Sequence, residues 1–259
     1  METRPTTVAG TQSIDRAVQL LKHVAAHNSA GLTLAQAARD SGLKTPTAHR
    51  ILASLCEHGL LMQQGAHKQY FLGPLVYELG LAADSRFDLR RLCHPVLVRL
   101  AHATGDTVFL TTRSDRDSVV IERMEGSYPI KVLTQMVGER RPLGSTVAGV
   151  ALLAALPDDE ADDLIARNRP RLGRYGKLSE KLLRDMIARA RRLGYALNDG
   201  DLIEGVTGIG VAIQTRLGTP YAALSVVAVS RRLAGARRDE IAALLKAEAR
   251  RLSDTLAGR

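Results

Sequence analysis

The chain has 259 residues, 45% hydrophobic and 24% charged, with 36 Lys and Arg against 27 Asp and Glu and a formal net charge of +9. That length fits one large domain or a small domain plus a medium one, and the positive balance suits a polyanionic partner. Aromatic residues make up only 3% and Trp is absent, which argues against single-strand binding by base stacking and fits duplex recognition better. Residues 1–80 hold seven Lys/Arg and five Asp/Glu, so only +2 of the +9 lies there and charge alone does not locate a DNA site. Cys56 and Cys93 are too few for a disulfide framework and lack metal-ligand spacing, so both are expected as reduced core residues and no metal site or cofactor is expected. The start "METRPTTVAG" has no apolar signal core, and the longest weakly polar run, around Thr146 to Leu156, is too short to span a bilayer. A cytoplasmic protein without a membrane partner is expected.

After a polar tail, residues 1–10, Ser13 is the expected cap of a helix whose Ile14, Ala17, Val18, Leu21 and Val24 or Ala25 recur at helical spacing. Thr33 and Gln36 have the spacing of a capping box at the head of "TLAQAARDSG", with Leu34, Ala37 and Ala38 as a short buried stripe and Ser41-Gly42 as the stop. A second helix follows in "KTPTAHRILASL". Pro46 belongs in the first turn, where its missing N–H is not needed, and Thr45 is the expected N-cap. Ala48, Ile51, Leu52 and Leu55 form its apolar stripe; Thr47, Arg50 and Ser54, flanked by His49, face the other way.

A short helix, a glycine-containing turn and a second helix make a helix-turn-helix, whose second helix places its N-terminal residues at base edges in the major groove. Thr45, Pro46, Thr47, His49, Arg50 and Ser54 are therefore the candidate DNA-reading residues. Two strand-like runs around Gly65 in "LLMQQGAHKQYFLG" predict a hairpin wing, with His67 and Lys68 as candidates for phosphate contact.

A helix from Leu75 to about Ala83 then links to another domain, entered through a helix from about Asp88 to Thr104 that carries Pro95. Strands are predicted at "DTVFLTTR", "DSVVIERM" and "IKVLTQM", followed by a helix "STVAGVALLAAL" stopped by Pro157. An acidic helix start "PDDEADDLIARN", a basic helix "SEKLLRDMIARARRLG", strands "GYALN", "TGIGVAI" and "YAALSVVAV", and a closing helix from Arg238 complete an α+β pattern.

All seven histidines lie at or before His102 and both cysteines precede it, so the second domain is read as free of His- and Cys-based catalysis and zinc sites. Its informative segment is "RRPLGSTVAGVALLAAL". Gly144, Ser145 and Thr146 lead straight into an apolar helix, where free N–H groups favour an anion and Gly144 would let a ligand approach the backbone; from the local sequence alone an ordinary helix cap that touches no ligand is the stronger reading.

The stretches "SIDRAVQLLKHVA", "GLTLAQAARDSGLKTPTAHRILASL", "YFLGPLVYELG", "ERRPLGSTVAGVALLAAL" and "AALSVVAV" occur in an order that resembles the IclR family of bacterial transcriptional regulators over nearly the whole chain. The resemblance implies a winged helix-turn-helix domain over residues 11–73, a linker helix over 74–86 and a GAF-like effector-binding domain with a central antiparallel sheet over 87–259. It also implies binding of a double-stranded operator as a homodimer or dimer of dimers, controlled by a small organic acid. The family's effector pocket, carried across by position, falls on Gly144, Ser145 and Thr146, Asn198 and Asp199, Gly208, and Ser225 with Val227. Asn198, Gly208 and Val227 depart from common family choices, so effector identity does not transfer; the less polar Gly208 and Val227 point to an aromatic or branched acid. The competing functions are a small-molecule enzyme in which Asp199, Asp201 and Glu204 perform acid–base chemistry and a dimeric scaffold that uses the helix-turn-helix for protein contact.

Overall fold

Within residues 1–88 and within residues 89–259 the chain packs against itself, giving two units. This computed structural model describes residues 11–28, 30–65, 68–84, 89–215 and 218–257. His67, the expected wing-tip contact, lies outside them.

In the first unit, helix α1 (Gln12–Ala26) begins at Thr11 rather than Ser13, without a side-chain cap. Leu20 and Val24 are its buried residues, whereas Ile14 and Val18, expected in the stripe, are 63% and 43% exposed. The inward face, which also includes half-buried Ala17 and Leu21, is thus rotated from the expected one. Helix α2 (Leu34–Ser41) opens on the expected capping box: Gln36 N–H donates to Thr33 Oγ1 at 3.4 Å and Thr33 N–H to Gln36 Oε1 at 2.9 Å. Gly42, in the left-handed conformation, closes it.

Helix α3 (Thr45–Glu57) corrects the expected cap by one residue. The Lys44 carbonyl accepts the first helical bonds, from the N–H of Thr47 at 2.9 Å and of Ala48 at 3.0 Å, so Lys44 is the cap and Thr45 the first helical residue. No side chain caps this end; Pro46, lacking an N–H, reduces the need for one. Ala48, Leu52 and Leu55 are buried, the two leucines in one cluster with Leu20, Val24, Leu32 and Ala37. Strands β1 (Leu61–Gln64) and β2 (Gln69–Leu72) form the antiparallel hairpin, held to the helices by buried Leu61 and Tyr70. Helix α4 (Pro74–Asp84) follows.

The second unit opens with α5 (Leu89–Thr104), which contains Pro95 and brings Cys93, His94 and His102 into this unit. The expectation of a second domain without His or Cys is therefore wrong for its first helix. Cys93 is fully buried, and burial, then the Glu122 carboxylate, push its thiol up to about 12. His94 Nδ1 lies 2.7 Å from Glu122 Oε1. Cys56, in the first unit, is free but only partly buried.

A six-stranded antiparallel sheet runs β5-β4-β3-β8-β7-β6, built from β3 (Thr107–Ser114), β4 (Asp117–Met124), β5 (Arg140–Pro142), β6 (Ala196–Asp199), β7 (Val206–Gln214) and β8 (Pro220–Val229). Helices α6 (Val147–Ala154), α7 (Asp158–Leu172) and α8 (Glu180–Leu193) cover one face, with Phe109, Val120, Ala223 and Val227. Helices α5 and α9 (Gly235–Ala257) cover the other, with Val108, Leu110, Leu224 and Val226. The alternation of Ala222 to Val227 between these cores is the two-residue period of a strand buried on both faces.

The predicted strand "IKVLTQM" does not form. Val132 and Gln135 are the buried residues of this segment, three apart, while Ile130, Leu133 and Met136 are about half exposed. That spacing cannot sustain the two-residue alternation of a strand, and the sheet edge is taken by β5 instead. No helix among the described residues is long and apolar enough to cross a membrane.

Candidate functional site: a cavity at the start of helix α6

Seven of the eight residues of α6 are buried, from Val147 to Leu153. Such a helix is apolar on every side because it lies between the sheet and α8. Its start is held by two hydroxyls: Thr146 Oγ1 accepts from Gly149 N–H at 3.0 Å, and Ser145 Oγ donates to the Pro142 carbonyl at 2.7 Å. The first N–H groups of a helix have no acceptor within it, so with Gly149 capped, those of Val147 and Ala148 remain for an outside partner.

They border a cavity of about 230 Å³. Asn198, Gly208, Ser225 and Val227 from the sheet form part of its lining, with Ser145 and Thr146 at the helix start. Leu202, Ile203 and Val206 add apolar surface, and Thr134, Gln135, Arg141, Tyr175 and Gly176 complete the wall. Asn198 Oδ1 accepts from Leu202 N–H at 3.1 Å, which leaves its amide nitrogen for other partners. Arg141 donates to Glu139 at 2.6 Å and to the Thr134 carbonyl at 2.7 Å, with its guanidinium 5.7 Å from the Tyr175 ring. Burial pushes the Tyr175 hydroxyl above its usual range, against the lowering influence of Arg171 and Arg141, so at neutral pH it is an uncharged donor. Among the described lining residues there is one guanidinium and no carboxylate.

In the first unit, α3 turns Pro46, His49, Arg50, Ala53 and Ser54 to solvent, together with Thr45 at its start. Thr47 is half-buried and sits on the rim of that face, not at its centre. Lys68, exposed, has a φ of 49° beside the turn at Gly65.

Family comparisons place both units. The bacterial transcriptional regulator IclR C-terminal domain matches residues 81–254, and the IclR helix-turn-helix domain matches residues 13–65. The chain belongs to the IclR family. Over 237 residues it is 26% identical to the acetate operon repressor of Salmonella typhimurium, covering 90% of this chain and 86% of that one. An IclR transcriptional regulator from a Silicibacter species shares the fold with a TM-score of 0.80 at 24% identity, over 95% of this chain and 97% of the other. An IclR homologue from Microbacterium hydrocarbonoxydans, complexed with 4-hydroxybenzoate, does so with a TM-score of 0.70 at 23% identity, over 95% and 100%. The curated relative is a repressor, and this IclR-family chain is a transcriptional regulator rather than an enzyme.

Two residues carried over from the IclR pattern do not line the cavity. Asp199 follows Asn198 on a strand and so points to the opposite face, where its carboxylate accepts from Thr207 Oγ1 at 2.9 Å and lies 3.6 Å from Arg238. Gly144 has a φ of 94°, and a Cβ there would come within 2.6 Å of Leu183 Cδ2. Its lack of a side chain admits α8, not a ligand. Gly208 likewise adds no room, because a Cβ would meet Val147 Cγ1 at 3.0 Å; the glycine lets the head of α6 approach the sheet. The carboxylates of the enzymatic alternative are outside the wall too, with Asp201 paired to Arg189 and Glu204 exposed.

Gln135, Arg141 and Tyr175 were not legible as site residues. They come from the β4–β5 connection, strand β5 and the α7–α8 connection, and only "ERRPLG", by its closeness to Gly144, offers a hint of Arg141. Gly144→Ala should destabilise the second unit by roughly 2–4 kcal/mol, from left-handed backbone strain plus overpacking. Urea unfolding of the full chain measures it, and in a Leu183→Ala background the same glycine substitution should cost less than in the unaltered chain. An unchanged midpoint for Gly144→Ala would remove the close packing of Leu183 as the reason for a glycine.

Proposed function

We propose that this regulator reads a specific operator through α3 in the cytoplasm and that a small organic acid held at the head of α6 modulates that binding. The observation carrying the ligand reading is the cavity wall, which joins two helix N–H groups without an intrahelical acceptor to the Arg141 guanidinium, itself paired with Glu139, and holds no carboxylate among its described lining residues. Pockets combine an apolar lining with a few placed polar groups. Here a carboxylate fits against Val147 and Ala148 N–H, and an aromatic or branched body fits against Val206 and Val227. A volume of about 230 Å³ lies below the range of drug-sized sites, which suits a small metabolite. The Microbacterium fold neighbour, holding 4-hydroxybenzoate, is one instance of this fold with a small aromatic acid.

Operator reading rests on the exposed face of α3. Arg50 and His49 offer donors near the helix start, Thr45, Thr47 and Ser54 flank them, and Lys68 adds a cation for phosphate. A homodimer or dimer of dimers follows from one helix-turn-helix per chain. Helix α4 supports it with Tyr77 and Leu81, one turn apart and 70% and 59% exposed, an apolar stripe for a second copy to cover.

Arg50→Ala should weaken operator binding by about 1–3 kcal/mol and relax base preference at one position in each of two half-sites. Competition binding and footprinting with single-base variants measure both, and unchanged affinity with unchanged preference would remove Arg50 from the interface. The ligand is tested by thermal shift with small acids and their uncharged amides. A binder specific to the folded state stabilises by roughly 2.7 kcal/mol at a hundredfold excess over its dissociation constant. Acids should stabilise and amides should not, with aromatic or branched acids ahead of glyoxylate; equal effects of acids and amides would refute the anion site.

A further inference from the structure

Gln135 carries a polar group that the protein leaves unanswered. The residue is 7% exposed and lines the cavity, yet its amide nitrogen is buried without a hydrogen-bond partner. Its backbone is well used: the carbonyl accepts from Arg123 at 3.2 Å, and buried Val132 pins the same segment three residues earlier. The side chain is thus held inward beside the cavity by its own segment rather than by a partner for its amide. A buried donor left unpaired costs folding free energy, and chains seldom retain one. An acceptor arriving with a ligand removes that cost, and a ligand without one leaves it in place.

Several other polar wall groups are committed within the protein, while the Tyr175 hydroxyl and the Asn198 amide nitrogen remain as further donors. Ser145 and Thr146 hold the helix start, Asn198 Oδ1 holds Leu202, and Arg141 is paired with Glu139. The helix N–H groups of Val147 and Ala148 suit a carboxylate. Gln135 belongs to the connection between β4 and β5, outside that helix start; its amide nitrogen lies just behind the wall, and a turn about its broad terminal torsion would present it as a separate donor.

We infer that Gln135 is a specificity-determining residue that donates to a second oxygen of the effector, so that the cavity selects acids carrying a hydroxyl or oxo group besides the carboxylate. This rests on the anion reading of the same cavity. Sites built to hydrogen-bond a ligand oxygen discriminate strongly against the analogue lacking it, because the buried donor is then left unpaired.

The test is calorimetric titration of the full-length protein with matched probes: benzoate against its three monohydroxy isomers, and 3-methylbutanoate against 3-hydroxy-3-methylbutanoate. At least one oxygenated acid should bind about tenfold or more tightly than its parent, the change expected for one satisfied buried donor. Gln135→Leu should abolish that preference while the parent acid binds as before. Gln135→Met, closer in shape, guards against a folding defect, and thermal melts without ligand verify that either variant is folded. A preference that survives in a folded variant, or equal weakening of parent and oxygenated acids, overturns the assignment, the second because it would place Gln135 on the shared carboxylate. Parent acids that bind while no oxygenated probe is preferred overturn it as well and leave the anion site standing. If no acid binds the unaltered protein, the anion reading falls too.

Discussion

The close approach of helix α6 to the sheet is the constraint on which the second unit depends. Gly208 and Gly210 of β7 present no side chain to the helix, and a Cβ at Gly210 would come within 3.0 Å of the Val147 carbonyl. The helix therefore sits deep in the core and buries Val150, Leu152 and Leu153 completely. Depth creates the electrostatic problem that the cavity answers. A buried helix start cannot leave its N–H groups to bulk water, so Thr146 takes one and the cavity receives others.

The positive charge of the chain is largely occupied within this unit. Asp106 binds Arg232 at 2.6 Å and Arg237 at 3.1 Å, and Asp117 binds Arg171 at 2.6 Å. Arg184 joins Asp162 and Glu180 across α7 and α8. The Arg184 pairs are exposed and add little stability, whereas the Asp106 carboxylate is buried; all of them consume cations that a raw charge count would offer to DNA. The first unit carries little net charge, so in the proposed reading α3 meets DNA through shape and side chains rather than through bulk charge.

Local chemistry was legible wherever neighbours in sequence are neighbours in space. The Thr33–Gln36 capping box, the buried stripe of α3 and the alternation in β8 all follow from spacing. The N-cap of α3 was misread as Thr45 because a threonine before proline resembles a cap, although the carbonyl of Lys44 receives the first bonds. The segment 130–136 was misread because its apolar content resembles a strand while its burial repeats every three residues. Of the family-derived positions, Ser145, Thr146, Asn198, Gly208, Ser225 and Val227 line one cavity. Gly144 and Asp199 do not, since one packs beneath Leu183 and the other occupies the alternate face of β6. Gln135 had no local signature at all, because an amide without a partner is a property of the folded surroundings.

Whether an acid in the cavity governs the operator is tested most directly by filling the cavity. Fluorescence anisotropy on an operator selected from random duplexes gives the dissociation constant with and without a saturating, thermally stabilising acid. In the unaltered protein the acid should change operator affinity by roughly 5–150-fold, the usual span of coupling between two sites. Val227→Phe, which places a ring where the apolar body of the acid is held, should keep the acid-free affinity and lose the change. A change that persists in Val227→Phe, or an acid that stabilises the unaltered protein without altering its operator affinity, would contradict control from this site.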